Sequence, residues 1–235
     1  MNADLSFRAG IHDTLPTVFG YIGIGIAFGI VAHASNLVLW AIFMLSSVVF
    51  AGSAQFIMVA MLASKSPALS IILAVFLVNS RMILMAMTSA GYFKEESIWR
   101  NIWIGTLLTD ESFALGMNKR NLTGGQLSFS WFSASNTLAY LVWNVSTLIG
   151  ALAGSLITNP YQLGLGFAMT AMFIGLLFGQ MAADKSMTLK LQGTMVVLTL
   201  ALYILGLIVI PANFLVLAVT LMACAIGLGV KHGFH

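Results

Sequence analysis

Charge is the scarcest property of this chain. Asp, Glu, Lys and Arg make up 7% of its 235 residues, against about 25% in a typical soluble domain. Hydrophobic residues make up 60%, and the mean hydropathy is +0.99. This balance excludes a soluble protein and predicts an all-α integral membrane protein. No soluble domain remains for ordinary catalysis, so no enzyme is expected. The single cysteine, Cys224, excludes an intramolecular disulfide and a cysteine metal cluster. The histidines, His12, His33, His232 and His235, have no metal-site spacing. No metal and no cofactor are expected. Walker A, GxSxG, HExxH and dinucleotide signatures are all missing, which argues against a primary pump within this chain. The formal charge of +3 comes without a basic run or an aromatic stacking motif, so nucleic acid is not suggested.

Long apolar runs are what the chain has in plenty. At about 20 residues per crossing, eight crossings fit. They run roughly over 14–34, 38–63, 67–90, 98–117, 128–156, 161–182, 187–210 and 212–230. Asn159-Pro160 and Ile210-Pro211 read as tight turns. The second run is interrupted at Ala51-Gly52-Ser53-Ala54-Gln55 and the fifth is long, so tilt or re-entrance is expected. With the N-terminus inside, Arg8, Lys65, Lys119, Arg120, Lys185, Lys190 and Lys231 fall on the cytoplasmic face, against Lys94 and Arg100 outside. The positive-inside rule then places both termini on the cytoplasmic side of the membrane.

The reading is of a single transporter domain, residues 1–235, with possible repeat halves of about 1–120 and 121–235. At an offset of 125, Gly25 and Gly29 meet Gly150 and Gly154, Gln55 meets Gln180, and Lys65 meets Lys190. Four crossings per half would make the halves parallel, although a re-entrant segment would change that parity. Chance identity among glycines is the competing reading.

Residues able to carry chemistry are few. A small, polar break at Gly52, Ser53, Ala54 and Gln55 frees backbone N–H and C=O groups at mid-depth, which survive only against a cavity or a ligand. Arg81, Asp110 and Glu111 are the ionisable residues well inside predicted crossings. Facing lipid, each would cost about 2.5–3.5 kcal/mol at a helix centre, so they are expected to face inward. Two acids meet one base. Asp110 is the expected partner of Arg81, which leaves Glu111 in an apolar setting as a group able to load and release a proton. A purely structural ion network is the alternative. Asn79 could contact substrate or bond another helix. Gly23 and Gly25 could let backbone approach a ligand, or Gly25-xxx-Gly29 could be a packing seam. Trp143 and Asn144 could wall a cavity or fill the core. Met82, Met85 and Met87 suit an adaptable apolar pocket or simple gap-filling. Gln180 is structural unless the repeat is real.

Phe50-Ala-Gly-Ser-Ala-Gln-Phe56, Ser66-Pro67, Phe76-Leu-Val-Asn79-x-Arg81 and Leu107-Leu-Thr-Asp-Glu-Ser-Phe-Ala-Leu115 resemble the AzlC family. The order of these motifs is similar over nearly the whole chain. Where that family's pattern has histidine after the arginine, this chain has Met82, and Ser80 replaces a residue that is more often Leu. The resemblance implies gradient-driven export of valine, leucine, isoleucine or similar apolar amino acids. It also implies a small AzlD-type membrane subunit as partner. A passive pore for small solutes and an assembly subunit of a membrane complex are the competing functions.

Overall fold

The computed structural model describes residues 4–157, 167, 174, 177, 178, 181, 188–210 and 212–233. The described elements are α1 (Phe7–Ala34), α2 (Leu39–Met44), a π-helical turn (Leu45–Val49), α3 (Gly52–Ala63), α4 (Ala68–Ala90), α5 (Ile98–Thr106), α6 (Asp110–Leu122), α7 (Phe129–Gly154), α8 (Leu189–Val209) and α9 (Ala212–Gly233). The protein is an all-α integral membrane protein. Among the described residues, α1, α4, α7 and α8 are long and apolar enough to cross a bilayer. The expected crossing at 161–182 lies mostly outside the described residues, and its Asn159-Pro160 link and Gln180 lie wholly outside them.

The scaffold is a parallel pair, α1 and α7. Gly10 packs on Trp131 and Ala134, Gly25 on Ser146, and Gly29 on Thr147 and Ala151. Both helices therefore climb together. The approach is backbone to backbone: a Cβ at Gly29 would strike the Thr147 carbonyl, and one at Gly150 the Ile26 carbonyl. Small residues permit this contact, and dispersion across the seam holds it. The agreement of Gly25 and Gly29 with Gly150 and Gly154 thus has a packing reason, because they are two sides of one seam.

Two stretches read as crossings are half-depth hairpins. The twelve residues of α3 span about 18 Å at 1.5 Å per residue, well short of a core about 30 Å thick. Ile42 of α2 and Val59 of α3 share a buried cluster with Phe28 and Ala32, toward the C-terminal end of α1. Phe50, between them in sequence, lies halfway down against Tyr21, its ring centroid 4.9 Å from that of Tyr140. The chain therefore enters from the face opposite the N-terminus, turns at Phe50 and goes back.

Helices α5 and α6 do the converse. Arg100 lies 4.9 Å from the Phe129 ring centroid at the start of α7. Trp103 Nε1 donates to Ser133 Oγ at 3.0 Å, and Asn136 Nδ2 donates to the Ile104 carbonyl at 3.4 Å. Helix α5 thus climbs beside α7 from the N-terminal face. The chain turns at Leu107–Thr109, and α6 descends until Lys119 meets Asp13 at 2.7 Å. Between the hairpins, α4 runs from the far face to the N-terminal face, where Met85, Ala86 and Tyr92 join the cluster around Ala9 and Trp131.

This arrangement corrects the alternating count. The stretches 38–63 and 98–117 do not cross, and α4 is antiparallel to α1. Lys65 therefore lies on the face opposite the N-terminus, and Lys94 and Arg100 lie on the N-terminal face. Lys119, expected in a solvated segment, is completely buried in an ion pair with Asp13. An apolar run of crossing length does not distinguish one span from two half-spans.

Candidate functional site

The hairpin tips meet midway along α1, and their two helix starts are chemically opposite. Helix α3 begins without a side-chain cap. Phe50 is left-handed (φ 39°, ψ 47°) and Ala51 is extended. A left-handed non-glycine residue costs about 1–2 kcal/mol, offset here by burial of the Phe50 ring against Tyr140. The first backbone N–H of the segment paired to it is that of Gln55, which donates to Ala51. The N–H groups of Gly52, Ser53 and Ala54 are thus the orphan donors of a helix N-terminus, carrying partial positive charge.

Helix α6 begins capped and acidic. Thr109 Oγ1 accepts from the Ser112 N–H at 3.2 Å, and Ser112 Oγ accepts from the Thr109 N–H at 2.9 Å. Asp110 and Glu111 occupy the first turn, where a helix N-terminus stabilises negative charge. Sequence placed both acids inside a continuous helix 98–117. The break at Leu107–Thr109 corrects this. Glycine or proline would have announced the break; a Leu-Leu-Thr turn does not.

Arg81 of α4 bridges the two tips. Its Nη2 lies 2.7 Å from Asp110 Oδ2 and donates to Ser53 Oγ at 3.1 Å. This is the expected pairing, with Asp110 as partner. Glu111 is held differently: the Tyr21 hydroxyl donates to its Oε2 at 3.0 Å and lies 2.5 Å from Thr109 Oγ1. Tyr21 also meets Trp143 edge to face.

Tyr21, Phe50, Ala51, Gly52, Ser53, Met82, Thr109, Asp110, Glu111 and Trp143 line a cavity of about 20 Å³, room for about one water molecule. Of the expected site residues, the structure brings Gly52, Ser53, Arg81, Asp110, Glu111 and Trp143 together. Others stand behind the wall. Ala54 is buried, and Gln55 accepts from Trp143 Nε1 at 3.1 Å while donating to Ser46 Oγ at 3.1 Å. Asn144 accepts from Ser47 Oγ at 2.7 Å and donates to the Tyr140 carbonyl. Asn79 lies half-buried on α4, its Oδ1 without a hydrogen-bond partner among the described residues.

Two expected residues lie elsewhere. Gly25 is in the α1–α7 seam, and Gly23 is exposed with open space beside it. The helix continues unbroken through both, so their backbone groups bond within it. Sequence reasoning missed Tyr21 and Thr109 as site residues. A tyrosine in an apolar helix, with a hydroxyl that needs a partner, was the available signal.

The AzlC protein family profile matches residues 16–157, more than half of the chain. The chain is 28% identical to the inner membrane protein YgaZ of Escherichia coli, over 83% of this chain and 82% of that protein. It is 26% identical to the branched-chain amino acid transport protein AzlC of Bacillus subtilis, over 91% and 84%. An uncharacterised membrane protein of Helicobacter pylori is 27% identical over 74% of this chain and 75% of its own length. No solved structure matches. The matched span contains the α1–α7 scaffold from residue 16 and both hairpin tips, so the architecture described above is the family's own segment: the chain belongs to the AzlC protein family.

Proposed function

We propose that this protein is a secondary transporter exporting branched-chain or similar apolar amino acids, driven by an ion gradient. One observation carries the reading: an uncapped helix start with an arginine faces an acidic helix start across a small cavity. A zwitterion needs that polarity. Its carboxylate takes the N–H groups of Gly52 and Ser53 together with Arg81. Its ammonium takes Asp110 or Glu111. Its aliphatic side chain takes Phe50, Met82 and Trp143. The transport activity in the name of the Bacillus subtilis relative supports the substrate class.

The cavity has room for about one water molecule, so an amino acid enters only when the tips separate. This disfavours a passive pore, which needs a standing path. When substrate carboxylate engages Arg81, Asp110 loses its partner. The substrate ammonium pairs with one of Asp110 and Glu111, and the other acid, left without a cation, takes up a proton. That links substrate binding to a proton.

We place the protein in a bacterial cytoplasmic membrane with the N-terminal face inside. Among the described residues up to Gly154, that face holds Arg8, Lys94, Arg100 and Arg120, against Lys65 opposite, in keeping with the positive-inside rule. A small AzlD-type membrane subunit is proposed as partner on the family resemblance.

Counterflow of radiolabelled valine, leucine and isoleucine in proteoliposomes tests the reading, with and without the small subunit and a pH gradient. Saturable exchange of these amino acids, with net flux driven by the gradient, is expected. Flux that neither saturates nor responds to the gradient, or exchange confined to charged solutes, would overturn it.

A further inference from the structure

The three ion pairs among the described residues are distributed unevenly. One ties the first turn of α5 to the loop before it, between Arg100 and Glu96. The other two both hold the α5–α6 hairpin, Arg81–Asp110 at its tip and Asp13–Lys119 at its base. The opposite hairpin is held to α7 by neutral groups: Gln55 and Ser47 through Trp143 and Asn144, and Tyr140 on the Ser47 carbonyl.

The two ion pairs differ in environment. At the tip, the side chains of Arg81 and Asp110 are 38% and 16% exposed and line or adjoin the cavity. At the base, Lys119 and Asp13 are 0% and 3% exposed. Asp13 Oδ2 accepts from both Lys119 Nζ at 2.7 Å and Trp131 Nε1 at 3.0 Å. Gly116, one turn before Lys119, is pressed on the Phe132 ring. Separating a buried, doubly hydrogen-bonded pair strands both charges in a dry interior, whereas the tip pair can exchange partners with a zwitterion.

We propose that Asp13, Lys119 and Trp131 are positioning residues: they clamp the base of the α5–α6 hairpin to the α1–α7 scaffold, so the tip swings about a fixed base when the site opens toward the N-terminal face. The inference rests on the transport reading for its purpose, and its test does not need a substrate. In a Cys224→Ser background, Met82→Cys reports access to the cavity through its labelling by a membrane-impermeant charged thiol reagent, applied to vesicles of known orientation. Lys119→Met is expected to raise labelling from the N-terminal face by about five-fold or more, with little change from the far face. The exchanged pair Asp13→Lys/Lys119→Asp is expected to lower it again. Unchanged labelling in Lys119→Met, or an equal rise from both faces, would overturn the proposal.

A second arm keeps the native charges, in case those variants do not fold. Gly116→Cys with Phe132→Cys, bridged by a short bifunctional thiol reagent, ties the base covalently. A fixed base predicts that cavity labelling still responds to Asp110→Asn after bridging. Loss of that response on bridging would show that the base itself must move. If the labelling pattern holds while the protein with native Met82 exchanges no amino acid, the clamp stands and the transport reading falls.

Discussion

Arg81 is the residue on which the site turns, because it touches both helix starts at once. Removing one partner of this half-exposed pair costs roughly 1–3 kcal/mol, between the exposed and buried limits. Arg81→Gln and Asp110→Asn are each expected to slow counterflow about ten-fold or more. The exchanged pair Arg81→Asp/Asp110→Arg should recover part of that rate. Recovery no better than the worse single variant would argue that the two residues act separately. Tyr21 makes a subtler test. Tyr21→Phe removes the hydroxyl between Thr109 and Glu111, a loss of about 1–2 kcal/mol that leaves the protein folded. If Tyr21 orients Glu111 for proton exchange, gradient-driven transport falls more than substrate exchange does. An equal fall in both rates would remove Tyr21 from the coupling step.

At the scale of elements, the contrast between the two helix starts is the feature to perturb. Helix α6 is capped by Thr109, while α3 has Ala51 in the extended geometry of an N-cap but with no side-chain acceptor. Ala51→Ser supplies that acceptor without adding a charge beside Asp110 and Glu111, worth about 1 kcal/mol to the helix. It also occupies the N–H groups assigned to substrate. A higher melting temperature together with a several-fold higher KM is therefore expected. A raised melting temperature with unchanged KM would place the substrate carboxylate elsewhere. The missing cap reads as function because its cost recurs in the left-handed Phe50 beside it. Strain of this kind persists where the surroundings over-determine it, and here the Tyr21 and Tyr140 contacts do so.

Across the whole molecule, two half-depth hairpins enter from opposite faces and meet between α1, α4 and α7. This order makes a topological claim that labelling can check. With Cys224 replaced by serine, Lys94→Cys is expected to react with an impermeant reagent from the face that bears the N-terminus, and Lys65→Cys from the opposite face. Eight strictly alternating crossings predict the reverse for both positions. The second pattern would remove the hairpins and the cavity between their tips.

Composition by itself determined the class, since a chain with 7% charge and 60% hydrophobic residues has too few charges to cover a solvated surface. The small, polar stretch after Phe50 announced a break, and the shortage of charge singled out Arg81, Asp110 and Glu111, which the structure gathers at one place. Direction was decided only in three dimensions. An apolar run records that lipid or protein surrounds it, and both a span and a returning hairpin meet that condition. The turn at Leu107–Thr109 carries no glycine or proline, because its orphan groups are met by Thr109, Ser112 and Asn136 from within the fold. For the same reason Tyr21, Asp13 and Lys119 took their meaning from partners far along the chain. A buried hydroxyl or charge is placed by whatever satisfies it, and only packing α6 against α1 and α7 brings those groups within 3 Å of one another.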